Sequence, residues 1–296
     1  MRKCSICGSD ATKIIYKGKL KTGLLEGWTE KDYEVYQCKQ CRTIWNLGYM
    51  DYDFAKFYET DEYRTKIEND TSIDAYCKKY DKEVLDKLAM TGTGIFRDNV
   101  VADIGCGGGS FLDFIGGVAS VSIAIEPSKI YREGLSEKGH KVYTYTSEAC
   151  KDYSQKCDVI TSFDVIEHVE NPEQFLKDAY DLCKDGGKVI IGTPTDYPIL
   201  RKMLGEVFDR FIFQVQHPWI LSDDAMKLMA EKVGFKNIRI EYKQKYGLGN
   251  LISWLLDATP RGDIKYEFIQ SAVDSAYKES MCKKGVCEYI ILYAER

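Results

Sequence analysis

The chain has 296 residues, 44% hydrophobic and 29% charged, with a net charge of -5. This is an ordinary globular composition. It excludes a membrane span, since the longest apolar run, LISWLL at 251–256, is far short of the ~20 residues needed. The acidic balance disfavours a nucleic-acid partner, which prefers a basic face.

The first residues, MRKCSICGSD, contain no apolar signal region, which predicts a cytoplasmic protein. Eleven cysteines are present. An odd number without a signal segment does not suggest a disulfide framework. Residues 1–50 hold Cys4-x-x-Cys7, KIIYKG and YEVYQCKQCRTIW, short alternating strands around paired cysteines that predict a small β-rich module. Residues 51–98 are tyrosine-rich and charged with helical spacing of apolar positions, and end in the loop TGTGIFRDN.

From residue 99 strands and helices alternate. NVVADI, VSIAIE, HKVYTYT, CDVITSFDVI, KVIIGTP, KNIRIEYKQ and the final GVCEYIILYAE read as strands. GSFLDFIGG, PSKIYREGLSEKG, NPEQFLKDAYDLCKDGG and SDDAMKLMAEKVGF read as helices, the last capped by Ser222. The alternation implies an α/β domain with a mainly parallel sheet and helices on both faces. A helical insertion at about 244–284, with the helix YEFIQSAVDSAYKESM, interrupts it.

The run VVADIGCGGGSFLDF at 100–114 leaves a strand through Asp103, Gly105, Gly107 and Gly109. The dinucleotide pattern G-x-G-x-x-G fails because Ser110 stands at its third position, and no Lys-Ser or Lys-Thr follows to make a phosphate loop. Asp103 at the strand end repels a pyrophosphate but accepts from an ammonium group. Glu126 ends the next strand, where an acid can take both hydroxyls of a ribose. A tight turn beside a solvated Glu126 is the alternative reading.

This arrangement resembles the class I S-adenosylmethionine-dependent methyltransferases over roughly residues 60–243 plus the last strand. FDVIEHVENP at 163–172 is similar to the segment after that family's fourth strand, and CKDGGKVIIGTP to its turn into the fifth. The resemblance implies a Rossmann-like, doubly wound, seven-stranded domain at 99–296. It implies S-adenosylmethionine as cofactor, with Asp103, Gly105, Cys106, Gly107 and Gly109 at its amino-acid part and ribose. Glu126 and Pro127 follow at the ribose, Ser147 and Glu148 near the adenine, and Phe163 and Asp164 at the methyl site. Residues 51–98 then form a helical lid or linker, with Tyr58, Tyr63 or Tyr76 near the cofactor, Tyr63 being the first choice; a helical packing face is the plainer reading.

Cys4, Cys7, Cys38 and Cys41 form two C-x-x-C pairs, the donor set of a closed tetrahedral zinc site of structural type. CSICGS and YQCKQCRTIW also resemble the N-terminal zinc module of a sugar-methyltransferase subfamily. Four free thiols in a core are the alternative.

The chain has three histidines. Methyl transfer is an in-line displacement that needs alignment and, for a hydroxyl or carbon acid, removal of a proton, a task that suits histidine. QHPWILS is similar to the family's E-H-x-x-x-F-S stretch, with Gln216 in place of the glutamate and Leu221 in place of the phenylalanine. That makes His217 the first candidate base, and loss of the carboxylate favours oxygen over carbon as the acceptor atom. His168 is second. Asp164, Glu167 and His168 have a spacing that permits a divalent cation. His140, at a helix-to-strand turn, reads as a loop residue. The expected acceptor is a sugar, nucleotide-linked or in a polysaccharide or glycolipid precursor. A quinone or polyketide acceptor and a non-catalytic cofactor-binding scaffold are the alternatives.

Overall fold

The protein is described by a computed structural model covering residues 2–22, 27–60, 65, 71–262 and 264–296. Tyr63 lies outside the described residues. Two sheets organise the described residues. A four-stranded antiparallel sheet has the order β1 (Thr12–Gly18), β2 (Tyr33–Cys38), β3 (Ile44–Asn46), β9 (Trp219–Ile220). A seven-stranded sheet has the order β10 (Lys236–Lys243), β11 (Tyr289–Glu295), β8 (Cys183–Pro194), β7 (Cys157–Phe163), β4 (Val100–Ile104), β5 (Val121–Ile125), β6 (Lys141–Tyr143). Its β7–β4, β4–β5 and β5–β6 pairings are parallel, as the strand-helix alternation requires. The α/β class, with a mainly parallel sheet flanked by helices, is therefore as expected.

The chain divides into two compact units: residues 1–49, 192–228 and 240–291, and residues 50–191, 229–239 and 292–296. The first carries the four-stranded sheet and a helical cluster. There Tyr197, Leu200, Phe208, Trp254, Met281 and Cys287 are buried together, with the Phe208 and Trp254 rings 5.0 Å apart, edge to face. The second carries β4–β7, whose central residues Val101, Ala102, Ile123, Ala124 and Ile160 are at most 2% exposed.

Several element boundaries differ from the sequence reading. The helix beginning in NPEQF stops at Leu182, and β8 starts at once with Cys183. The glycines of KDGG lie inside that strand. Gly186 takes a left-handed φ of +73°, and a side chain at Gly187 would stand 3.0 Å from the Cys157 carbonyl, so the first permits a bend within the strand and the second a close strand approach, and neither ends a helix. HKVYTYT yields only a three-residue strand, because Thr146–Tyr153 forms a helix; the Glu148 carboxylate accepts from the Thr144 N–H (3.0 Å) at its start. The late helix runs Ser271–Lys284, shifted along the chain from its expected start. The Ser222 cap is as expected, its hydroxyl accepting from the Ala225 N–H at 3.1 Å.

Candidate active site

β4 ends in Asp103 and Ile104, and the chain then turns through Gly105, Gly107 and Gly109 with φ of +76°, +56° and +87°. L side chains rarely adopt these angles. A Cβ at Gly107 would stand 2.2 Å from the Tyr76 hydroxyl, and one at Gly105 2.3 Å from Val165, so the loop must also lack side chains for space. Gly109 caps the helix Ser110–Gly116, and the turn is closed by Gly105 N–H on the Ile125 carbonyl (2.7 Å) and Gly109 N–H on the Cys106 carbonyl (3.0 Å).

Asp103 is buried and accepts from the Thr161 hydroxyl at 2.6 Å. Burial pushes its carboxyl up to about 6, the Thr161 bond working against that shift. Glu126 is also buried. Its Oε2 accepts from the Gly107 N–H and its Oε1 from the Ser128 N–H, each at 2.8 Å. One carboxylate thus ties the glycine turn to the chain after β5. Cys106 is buried, and burial pushes its thiol well up, so it acts as a small apolar filler and not a nucleophile.

Tyr76, on the helix Ile73–Tyr80, lies against the turn and packs at a tilt between the rings of Tyr80 (4.4 Å between ring centres) and Tyr131 (5.1 Å). Phe163, at the end of β7, is buried edge-on against Phe111 at 5.6 Å, with the Lys87 ammonium 5.4 Å from its ring centre. Asp164 is exposed and left-handed, with φ +59°. That conformation costs a non-glycine residue ~1–2 kcal/mol, and such strain collects at functional positions. Ser147 is exposed on the helix Thr146–Tyr153, and Pro127 is half-buried directly after Glu126.

His168 is half-buried, with Nδ1 2.9 Å from the Tyr58 hydroxyl. Tyr58 is on the helix Phe54–Glu59, whose start is capped by the Asp53 carboxylate on the Lys56 N–H. Each of these residues belongs to the second unit. His217 belongs to the first, in the segment leading to β9. His140 is buried, not a solvated loop residue, and bridges Asp113 (2.9 Å) and the Ser122 hydroxyl (2.7 Å).

The four cysteines converge within the first unit. Cys4 and Cys41 sulfurs are 3.6 Å apart, those of Cys7 and Cys38 3.4 Å, and all four lie within 4.8 Å of one another. Four soft donors in that space can hold one tetrahedral ion. Two positions were missed in the sequence. Thr161 had a signal, since Thr161 and Ser162 are adjacent polar residues in a fully buried strand. Asn46 had none.

A parallel sheet with a glycine turn and buried acids at two neighbouring strand ends is a nucleoside-cofactor fold. Residues 76–240 match the family model described as a methyltransferase domain, more than half of the 296 residues. The chain belongs to that family and is an S-adenosylmethionine-dependent methyltransferase. An uncharacterized protein of Methanocaldococcus jannaschii is 26% identical over 208 residues, 61% of this chain and 96% of the relative. A ubiquinone biosynthesis O-methyltransferase of Yersinia enterocolitica is 31% identical over 117 residues, 37% of this chain. The matched stretch spans about half (48%) of that enzyme. A solved S-adenosylmethionine-dependent methyltransferase from Archaeoglobus fulgidus aligns with a TM-score of 0.48 at 18% identity, over 73% of this chain and 94% of that one.

Proposed function

We propose that the enzyme methylates a hydroxyl oxygen of a small-molecule acceptor, with a sugar as the favoured class. The observation that carries the oxygen assignment is the Tyr58–His168 contact of 2.9 Å. In the productive tautomer Nδ1–H donates to the Tyr58 oxygen, and Nε2 is the atom assigned to take the acceptor proton. The sequence ranks His217 ahead of His168 as the base. The Tyr58 contact favours His168 as the base, and we assign His217 to holding the acceptor.

Asp103 and the glycine turn receive the cofactor's amino-acid end, and Glu126 its ribose. Phe163 and Asp164 border the methyl group, and Ser147 stands toward the adenine. The cofactor supplies the sulfonium methyl and its leaving group; the protein aligns the acceptor and removes its proton. Cys4, Cys7, Cys38 and Cys41 bind a structural zinc ion, supported by the mutual closeness of their sulfurs. The sugar class rests on the resemblance of the cysteine module. The ubiquinone O-methyltransferase relatives favour a second reading, a phenolic acceptor of quinol type.

Incubation with labelled cofactor and a panel of nucleotide sugars and catechols, read by mass spectrometry, tests both. A gain of one methyl on a sugar hydroxyl supports the first. Methylation of catechols alone replaces it with the second, and no product from either class overturns both.

A further inference from the structure

The segment carrying His217 is built into the cysteine module. Its start is held by Lys21, which exchanges backbone bonds with Phe213 (3.2 Å) and Val215 (2.9 Å). Its end is β9, paired with β3 through Trp45↔Trp219 and Ile44↔Ile220. Beyond β9, the Ser222 hydroxyl donates to the carbonyl of Cys41, one of the four clustered cysteines.

Between these grips the work falls to one side chain. Asn46 is 2% exposed and is the last residue of β3. Its Nδ2 donates to the carbonyls of Gln214 and His217, each at 3.1 Å. Its backbone N–H donates to the Pro218 carbonyl at 3.1 Å, and its Oδ1 accepts from the Gly48 N–H at 2.9 Å. Both amide hydrogens and the amide oxygen are thus used, and three carbonyls around His217 are satisfied by one residue. The Gln214 carbonyl also accepts from the His217 N–H (3.3 Å), so the amide's distinctive contribution is its bond to the His217 carbonyl, and only an amide can donate there while accepting from Gly48.

We infer that Asn46 is the positioning residue for His217, and that the four-cysteine cluster sets the imidazole's place through it. The link is short. Cys38 ends β2, and its N–H bonds the Thr43 carbonyl at 2.9 Å to close the knuckle containing Cys41. β3 follows directly and ends at Asn46. An ion on the four sulfurs fixes the knuckle, the knuckle fixes β3, and β3 carries the amide that grips the His217 backbone. The module is then a jig for the His217 imidazole. The kinetic part rests on the reading that His217 holds the acceptor; the positional part does not.

The test uses full-length protein labelled with 13C histidine. Three histidines give three Cε1–H signals, assigned by His140→Asn, His168→Asn and His217→Asn. Asn46→Asp keeps the side chain's size and its acceptor for Gly48 but loses both amide donors; Asn46→Ser serves where the aspartate variant fails to fold. In either variant, and in wild type stripped by a chelator, the His217 signal is expected to move beyond its linewidth while His140 holds. The acceptor KM rises about tenfold with kcat within about twofold, the split expected when a binding contact is displaced and not a reacting group. An unmoved His217 signal in a folded Asn46 variant overturns the inference. If the signal moves but His217→Ala leaves KM unchanged, the positioning stands and the acceptor role of His217 falls.

Discussion

Two turns in this enzyme are shaped by opposite means. The glycine turn at 105–109 is held by its own neighbourhood in the sheet: Ile125 and Cys106 carbonyls, and the Glu126 carboxylate at the tip of the adjacent strand. The His217 segment is held by residues 168 to 171 positions away, where Asn46 reaches Gln214 and His217. The first needs only a parallel pair of strands to form. The second needs β3 of the cysteine module in place, and on the zinc reading proposed above a bound ion steadies that module. Cofactor binding should therefore be robust and acceptor geometry conditional, and substitutions can separate the two.

The largest separation is expected from Cys38→Ser. On the proposed zinc reading, where structural zinc contributes ~10–16 kcal/mol in small modules, losing one thiolate should unfold the four-stranded sheet. Turnover should vanish and the fluorescence of Trp45 and Trp219 should shift red. Cofactor affinity should change by no more than about twofold, because the glycine turn is held by bonds within its own unit. Calorimetry showing the cofactor lost together with the tryptophan signal would merge the two turns into one cooperative unit.

Asp103→Asn should act in the reverse sense, weakening cofactor binding ~10- to 100-fold by removing a charge-assisted bond worth ~1.5–3 kcal/mol. The pH dependence sharpens this. The Asp103 carboxyl has its folded value raised to about 6, from 3.8. The ionised form therefore destabilises the empty fold above pH 6, by about 3 kcal/mol for roughly two units. That destabilisation is relieved as pH falls through 6 and the folded protein takes up the proton. On the proposed pairing of the cofactor's ammonium with this carboxylate, its affinity in wild type should fall about tenfold per unit below pH 6. In Asp103→Asn the affinity should be flat there, and the empty protein should melt higher than wild type at pH 8. A wild-type affinity independent of pH between 5 and 8 would place the cofactor's charge elsewhere.

Tyr58→Phe should be milder. It removes the hydroxyl from His168 Nδ1 but leaves the ring packed against the imidazole, 5.7 Å between centres. The expected loss is ~10-fold in kcat with KM unchanged, a fraction of the 10²–10⁴ attributed to general-base catalysis. A rise in KM instead would make Tyr58 an acceptor contact.

These contrasts also explain what could be read from the residues alone. Asp103, Glu126 and the glycines were visible because strand ends and left-handed turns leave marks at fixed local spacing. The clustering of the four cysteines was visible because C-x-x-C pairs announce a shared centre. The glycines of KDGG misled, because a glycine pair after a helix has the same appearance whether it stops the helix or lets two strands approach. Asn46 was invisible. An asparagine at a strand end carries no sign of which distant carbonyls it will satisfy, and that partner set exists only once β9 has paired with β3.

The smallest effect should come from Ser147→Ala. Ser147 is exposed on the helix Thr146–Tyr153. Water competes for its hydroxyl in the empty enzyme, so a bond to the adenine exchanges one partner for another. The net contribution of such a bond is ~0.5–1.5 kcal/mol at most, which limits the change in cofactor dissociation constant to about tenfold and places twofold within the expected range. Asp103, buried with one oxygen on Thr161, has no comparable solvent to fall back on. Measuring both variants by the same calorimetric titration fixes where the binding energy resides. A Ser147→Ala loss equal to that of Asp103→Asn would shift it from the buried acid to the exposed rim.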